Sequence, residues 1–189
     1  FILLDVEFKQ LGFHIFGGAS FTSNLILWNE ASYFDNSADS KPLLHLWSLG
    51  IEEQFYIFWP LLIVYFYKNK NIFIPVLIII LASFIYNFLN VKINPTATFY
   101  SLLTRLWELA SGGLLAWLLI NNNNKINNYS LDNQKLNLLN NLFSIIGLIL
   151  LVYSFYRISN NLSYPGKWAI IPVLGSIFII YSGPNAVIN

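Results

Sequence analysis

The sequence contains no cysteine and no methionine, and only 10% of its 189 residues are charged. The absence of cysteine excludes a disulfide-stapled secreted domain. Soluble domains carry about 25% charged residues, so the low charge excludes an ordinary water-soluble protein. The ten basic residues are scattered singly, which argues against nucleic acid as a partner. Because the sequence starts at Phe1 without a methionine, we expect a fragment that lacks preceding spans and is truncated at its C-terminal end.

Apolar residues dominate the sequence, which is 56% hydrophobic and 17% aromatic. A helix needs about 20 apolar residues to cross a bilayer. Continuous apolar runs favour helices over barrel strands, and six such runs are visible, at 10–28, 45–67, 72–89, 99–120, 138–156 and 167–181. We therefore expect an all-α fold, a polytopic transmembrane bundle of about six spans, with residues 1–189 in one integral membrane domain and the lipid bilayer as a partner.

The connections between these runs predict an orientation. The first connection carries three acidic residues and one lysine, whereas the second carries Lys68 and Lys70. The positive-inside rule places the first connection outside and the second inside, and alternation then places the third and fifth outside. Arg157 and Lys167 flank the fifth connection, against the rule. The asparagine-rich segment 121–128 is predicted to be a flexible loop.

Four ionisable residues lie inside the predicted spans: Glu52 and Glu53 in the second run, and Arg105 and Glu108 in the fourth. Each costs about 2.5–3.5 kcal/mol to insert, so such residues mark a functional site or a packing pair. Both runs start at the outer side and place these residues at equal depth, so a bridge from Arg105 to Glu52 or Glu53 is geometrically available. The excess of carboxylates favours a functional site, and the alternative is a pair that only fixes helix packing.

Spacing places further polar and aromatic residues beside these charges. Steps of three and four predict one stripe along the second run, formed by His45, Ser48, Glu52, Tyr56 and Trp59, with Glu53 facing away. A similar stripe on the fourth run consists of Ser101, Arg105, Glu108 and Gly112. Small residues at 111–113 would allow another helix to approach closely. The two stripes predict a shared cavity that opens outward, and His14 receives no role.

Two long motifs carry a resemblance to a known family. The segment PLLHLWSLGIEEQFYIFWP, residues 42–60, closely resembles the most distinctive motif of the acyltransferase family 3 membrane proteins. The segment FYSLLTRLWELASGGLLA, residues 99–116, resembles a later helix of that family. Residues 8–34 and YPGKWAIIPVLGS, residues 164–176, are similar to flanking regions. The resemblance covers most of the chain.

The resemblance implies a membrane O-acyltransferase of the bacterial inner membrane. Such proteins transfer an acyl group, usually acetyl from acetyl-CoA, to sugars of peptidoglycan, lipopolysaccharide or other glycans, often with a fused or separate extracytoplasmic esterase-like domain. No bound cofactor or metal is implied. The expected catalytic residues are Glu52, Glu53, Arg105 and Glu108, and the expected substrate-binding residues are His45, Trp47, Ser48, Tyr56 and Trp107.

Two features of the resemblance bear on completeness and on rival functions. The family's first-span histidine and its Arg-x-x-Arg element have no counterpart here, so we expect them before Phe1 and expect this fragment to be inactive alone. A transporter or flippase for sugars or acyl groups would use buried carboxylates and arginine equally well. A purely structural membrane subunit is the third interpretation.

Overall fold

The computed structural model describes residues 5–33, 43–67, 72–126, 133–159, 162–184 and 186–188. Every regular element in these ranges is helical, which confirms the all-α prediction. The α-helices are α1 (Asp5–Ala19), α2 (Ser23–Tyr33), α3 (Leu46–Tyr67), α4 (Phe73–Asn90), α5 (Pro95–Tyr100), α6 (Leu102–Ile126), α7 (Asn133–Arg157) and α8 (Ile170–Ser182). A 3₁₀ helix, Gly166–Ala169, leads into α8.

Three segments of the described chain are long and apolar enough to cross a membrane: Phe73–Asn90, Pro95–Asn121 and Leu138–Arg157. The apolar segment Gly166–Ser182 is shorter. Helix α3 has 22 residues, which corresponds to about 33 Å, but the adjacent Glu52 and Glu53 lower its hydropathy. The count of six spans stays a prediction.

The first predicted span, 10–28, is wrong as a single helix. The chain turns between α1 and α2, where Phe21 adopts a left-handed φ of 58° and the Thr22 N–H donates to the Gly17 carbonyl at 2.8 Å. Gln54 of α3 stabilises this turn, because its amide donates to the Phe21 carbonyl at 2.7 Å and to Asn24 Oδ1 at 2.9 Å. The polar residues in this run therefore form a turn between two short helices.

The fourth predicted span, 99–120, also differs. The backbone is extended at Ser101, with φ −78° and ψ 135°, and this residue separates α5 from α6. The Ser101 hydroxyl accepts a hydrogen bond from the Leu103 N–H at 3.2 Å, so Ser101 acts as the N-cap of α6 instead of belonging to a stripe. At the other end, α6 continues to Ile126, so the predicted loop at 121–128 is wrong up to that residue, and residues 127–128 lie outside the described residues.

Polar side chains of α4 attach this helix to the first turns of α6. The Ser83 hydroxyl donates to the Leu103 carbonyl at 2.6 Å and accepts from the Trp107 N–H at 3.0 Å. One turn away, the fully buried Asn87 donates to the Thr104 carbonyl at 2.9 Å. These bonds fix the rotation of α6 on both sides of residue 105.

Replacing Ser83 with alanine is expected to destabilise the protein by about 1–2 kcal/mol, because one buried and one partly buried hydrogen bond are lost. The midpoint of thermal unfolding in detergent micelles would measure the change. Ser176→Ala is the matched control, since the exposed Ser176 hydroxyl bonds only the Pro172 carbonyl of its own helix. Equal midpoints for both variants would contradict a stabilising role for Ser83.

Helices α7 and α8 cross at two glycines. A Cβ on Gly147 would lie 2.7 Å from the Gly175 carbonyl oxygen, and a Cβ on Gly175 would lie 3.0 Å from the Gly147 carbonyl oxygen. A side chain at Gly147 would therefore force the helices to shift, and one at Gly175 would be tightly packed. Such close backbone approach is typical of helices packed within a membrane.

Candidate functional site

Arg105 lies buried in the first turns of α6 and has fixed partners. Its Nε donates to the Phe99 carbonyl at 3.1 Å, and its Nη1 donates to Glu108 Oε2 at 3.3 Å. Phe99 is available because the chain breaks at Ser101, which leaves the carbonyl beside the arginine instead of inside a continuous helix. The guanidinium is thereby held at two of its three nitrogens.

Three aromatic rings surround the guanidinium. The Arg105 Cζ atom lies 5.0 Å from the ring centre of Trp47, 4.9 Å from Phe99 and 5.4 Å from Tyr164. An arginine stacks well on aromatic faces, and a desolvated cation–π contact contributes about 2 kcal/mol. The rings come from α3, α5 and the segment before the 3₁₀ helix, so this aromatic box brings together three distant parts of the chain.

The Arg105–Glu108 pair borders a small cavity of about 90 Å³, which we call the carboxylate cavity. Its lining consists of Trp47, Ser48, Ile51, Glu52, Arg105, Glu108 and Leu109. Arg105 Nη2 and Glu108 Oε1 are buried without a hydrogen-bond partner in the described part of the chain. Buried polar atoms are almost always bonded, so these two atoms set this cavity apart from an ordinary packing contact.

Arg105 does not form the available bridge to Glu52 or Glu53 in the structure. Within the described residues, the only ion pair of Arg105 joins it to Glu108, three positions along the same helix. A partner at i+3 lies within reach of Arg105 without any contribution from another helix. Glu52 lines the same cavity but remains unpaired with Arg105.

The predicted site residues divide into two groups. The structure brings together Trp47, Ser48, Glu52, Arg105 and Glu108 around the carboxylate cavity. The remaining four, His45, Glu53, Tyr56 and Trp107, are not in its lining, and their roles stay predictions.

These four residues differ in exposure, and Glu53 is half-buried. His45 is exposed, Tyr56 is 57% exposed, and Trp107 is buried with its ring 5.1 Å from Phe84 of α4. Trp107 therefore faces the α4 side of α6, whereas Arg105 faces the aromatic box. Gly113 confirms the predicted close approach, because a Cβ there would overlap the Trp59 ring, whereas Gly112 has open space around it.

Sequence reasoning missed Phe99 and Tyr164 as parts of the site. Tyr164 is 59 positions from Arg105 (164 − 105), so no local period connects the two residues. It also assigned no role to His14, whose Nε2 lies 2.8 Å from Glu30 Oε1 in a buried contact between α1 and α2. The run 10–28 is predicted as one span, so the sequence gives no sign of a pair across the turn between α1 and α2.

Two larger cavities adjoin the site. One of about 560 Å³, the loop cavity, shares Trp47 with the carboxylate cavity. The other, of about 340 Å³ between α6 and α8, shares Glu108 and Leu109 with it. Tyr164 borders both larger cavities. The carboxylate cavity beside Arg105 therefore adjoins both larger cavities.

Comparison with known proteins identifies relatives of this chain. A Haemophilus influenzae protein of uncharacterized function is 34% identical over 191 aligned positions, which cover 96% of this chain and 75% of that protein. The Listeria monocytogenes peptidoglycan O-acetyltransferase is 35% identical over 49% of this chain, and a candidate Staphylococcus aureus O-acetyltransferase is 32% identical over 81%. No protein-family model and no solved structure matches the chain.

The chain belongs to the family of the Haemophilus protein, since the match covers 96% of this chain and 75% of that protein. Its similarity to named O-acetyltransferases supports an acyltransferase family. The matched regions amount to only 16% of the Listeria protein and 26% of the Staphylococcus protein.

Proposed function

We propose that the full-length protein is a membrane O-acyltransferase that moves an acyl group, acetyl in the first instance, from acyl-CoA to a hydroxyl of a cell-envelope glycan such as peptidoglycan. The observation that carries this proposal is the buried Arg105 Nη2 without a partner, beside two carboxylates in one cavity. The similarity to a peptidoglycan O-acetyltransferase supports the choice of reaction and acceptor.

The reaction places clear demands on such a site. The acceptor hydroxyl oxygen attacks the thioester carbonyl carbon, the carbon–sulfur bond breaks, and the proton of the hydroxyl ends on the departing thiol. A base must take that proton, and a donor must stabilise the negative carbonyl oxygen of the tetrahedral intermediate.

The residues around the carboxylate cavity suit these two tasks. Arg105 Nη2 is the free donor for the carbonyl oxygen, and Glu108 holds the guanidinium in place through Nη1. Glu52, which is not engaged by Arg105, takes the hydroxyl proton directly or orients a histidine that does so. A water-poor site strengthens each of these electrostatic interactions.

The pair Glu52→Gln and Glu53→Gln tests this assignment. Both variants remove one carboxylate from adjacent positions of α3, but only Glu52 lines the cavity. We expect Glu52→Gln to lower glycan acetylation about 10²–10⁴-fold, the range typical of a positioned acid or base. Glu53→Gln should lower glycan acetylation far less.

The measurement is mass spectrometry of cell-wall glycans from cells that express the full-length protein or its variants at equal membrane abundance. Each acetyl group adds about 42 Da, as expected for covalent transfer. Acetylation that persists at the wild-type level in Glu52→Gln would refute the role of Glu52. Glycans unchanged on deletion of the gene would refute the proposed acceptor and favour transport without covalent chemistry.

A further inference from the structure

The loop cavity is the largest of the three spaces at the site. Its volume of about 560 Å³ falls within the about 300–1,000 Å³ typical of small-molecule sites. Its walls come from one end of the helix bundle: the end of α2, the start of α3, the α4–α5 junction and the segment between α7 and the 3₁₀ helix.

Four aromatic side chains form a connected wall of this cavity. The Phe99 ring lies 4.5 Å from Trp47, 5.1 Å from Tyr100 and 6.4 Å from Tyr164, measured between ring centres. Amphipathic aromatic rings offer flat apolar faces beside polar tips. The flat C–H face of a pyranose ring packs against such a surface, while its hydroxyls remain free to bond elsewhere.

Hydroxyl groups occupy other parts of the lining. Thr96, Ser159 and Ser163 border the cavity, and their side chains make no hydrogen bond to the described part of the chain. Each hydroxyl both donates and accepts, which matches the hydroxyls of a sugar.

Charge distinguishes a sugar from the nucleotide part of an acyl-CoA donor. None of the described residues that line the loop cavity carries a formal charge, so this part of its surface offers no cation for phosphate groups. The nearby Arg157 and Lys167 each lie 5.5 Å from the Trp168 ring instead. A neutral, polyhydroxylated ring fits this lining better than a polyanion.

The predicted orientation places the loop cavity at the outer face. Its lining residues flank the first, third and fifth connections, which the positive-inside rule and alternation assign to the outside. Trp47 borders both this cavity and the carboxylate cavity, so a sugar ring packed on Trp47 lies next to the space that Glu52 and Arg105 line.

We infer that the loop cavity is a binding site for an uncharged pyranose ring of the acceptor glycan, entered from the outer face. Its designation as the acceptor site rests on the proposed acyltransferase function. Binding of the sugar itself does not require the reaction and is tested without it.

The absence of cysteine from these 189 residues makes a labelling test possible. Ser163→Cys places one thiol in the lining, and Ile93→Cys places one on the α4–α5 turn at a side chain that is 74% exposed and outside the lining. Both are made in the full-length protein, with any cysteine elsewhere changed to serine. Spheroplasts are then treated with a membrane-impermeant maleimide.

We expect both thiols to react from outside. The neutral disaccharide N,N′-diacetylchitobiose, built of two N-acetylglucosamine rings, should slow labelling of Ser163→Cys to about one third at twice its Kd, since two thirds of the sites are then occupied. It should leave Ile93→Cys unchanged, and sorbitol, an acyclic polyol, should protect neither thiol.

Three results would overturn the inference: no protection of Ser163→Cys at saturating disaccharide, equal protection by sorbitol, or labelling only after the membrane is permeabilised. Glycan mass spectrometry on the same cells tests the acyltransferase proposal separately. Protection without any acetyl transfer would support the sugar site and refute the proposed reaction.

Discussion

Arg105→Lys is expected to lower kcat/KM for acyl transfer about 10²–10³-fold while the protein still accumulates in the membrane. This magnitude is typical of the loss of one oxyanion donor. Lysine keeps the charge but presents a compact ammonium without a planar fork. A lysine lying between the three aromatic rings therefore cannot donate to the Phe99 carbonyl, to Glu108 and to a substrate oxygen at the same time.

Transfer of radiolabelled acetyl from acetyl-CoA to a glycan acceptor in membranes would measure this effect. Arg157→Lys is the matched control, because Arg157 is exposed and its guanidinium lies on Trp168, outside the linings of the three cavities. Surface substitutions of this kind change free energies by about 0.5 kcal/mol or less, or about twofold. Activity within twofold of wild type in both variants would rule out the assigned role of Arg105.

Gly113→Ala is expected to destabilise the protein by about 1–3 kcal/mol, the usual cost of overpacking. A Cβ at this position would lie 2.9 Å from Trp59 Cε2 and closer still to Cζ2, so α3 and α6 would have to separate. The adjacent Gly112 has no atom within 4 Å of its added Cβ. Gly112→Ala should therefore be neutral or stabilise by up to about 1 kcal/mol through helix propensity.

Thermal unfolding of the purified full-length protein in detergent would compare the two alanine variants. A smaller side chain at position 59, as in Trp59→Leu, should recover part of the loss in the double variant with Gly113→Ala, because the two sites are in contact. Equal stability of the two single variants would show that α3 and α6 do not pack through Gly113.

The sequence predicts those features of the fold that depend on long apolar runs. Helices α3, α4 and α7 lie within a few residues of the predicted bounds, because burial in lipid requires continuous apolar length. The two breaks were missed because they depend on single residues. At Phe21 the break is a left-handed φ held by Gln54 of another helix, and at Ser101 it is a serine that caps the next helix.

The sequence predicts which residues come together at the candidate site, but not which carboxylate pairs with Arg105. Two polar stripes at similar depth correctly brought Ser48, Glu52, Arg105 and Glu108 to one cavity. Equal depth does not decide which carboxylate the arginine bonds, and the partner on its own helix prevails. The contact between Tyr164 and Arg105 could not be predicted, because it depends on the path of the chain before the 3₁₀ helix.

Two aromatic rings contact Arg105 and also border the loop cavity, and this has a thermodynamic consequence. Trp47 and Tyr164 touch the guanidinium on one side and border the loop cavity on the other. A molecule that fixes these rings also narrows the orientations open to Arg105, and a group bound to Arg105 fixes the rings in return. Such linkage is reciprocal by necessity, so occupancy of either space changes the affinity of the other by the same factor. The aromatic box is then the element that links the two binding equilibria.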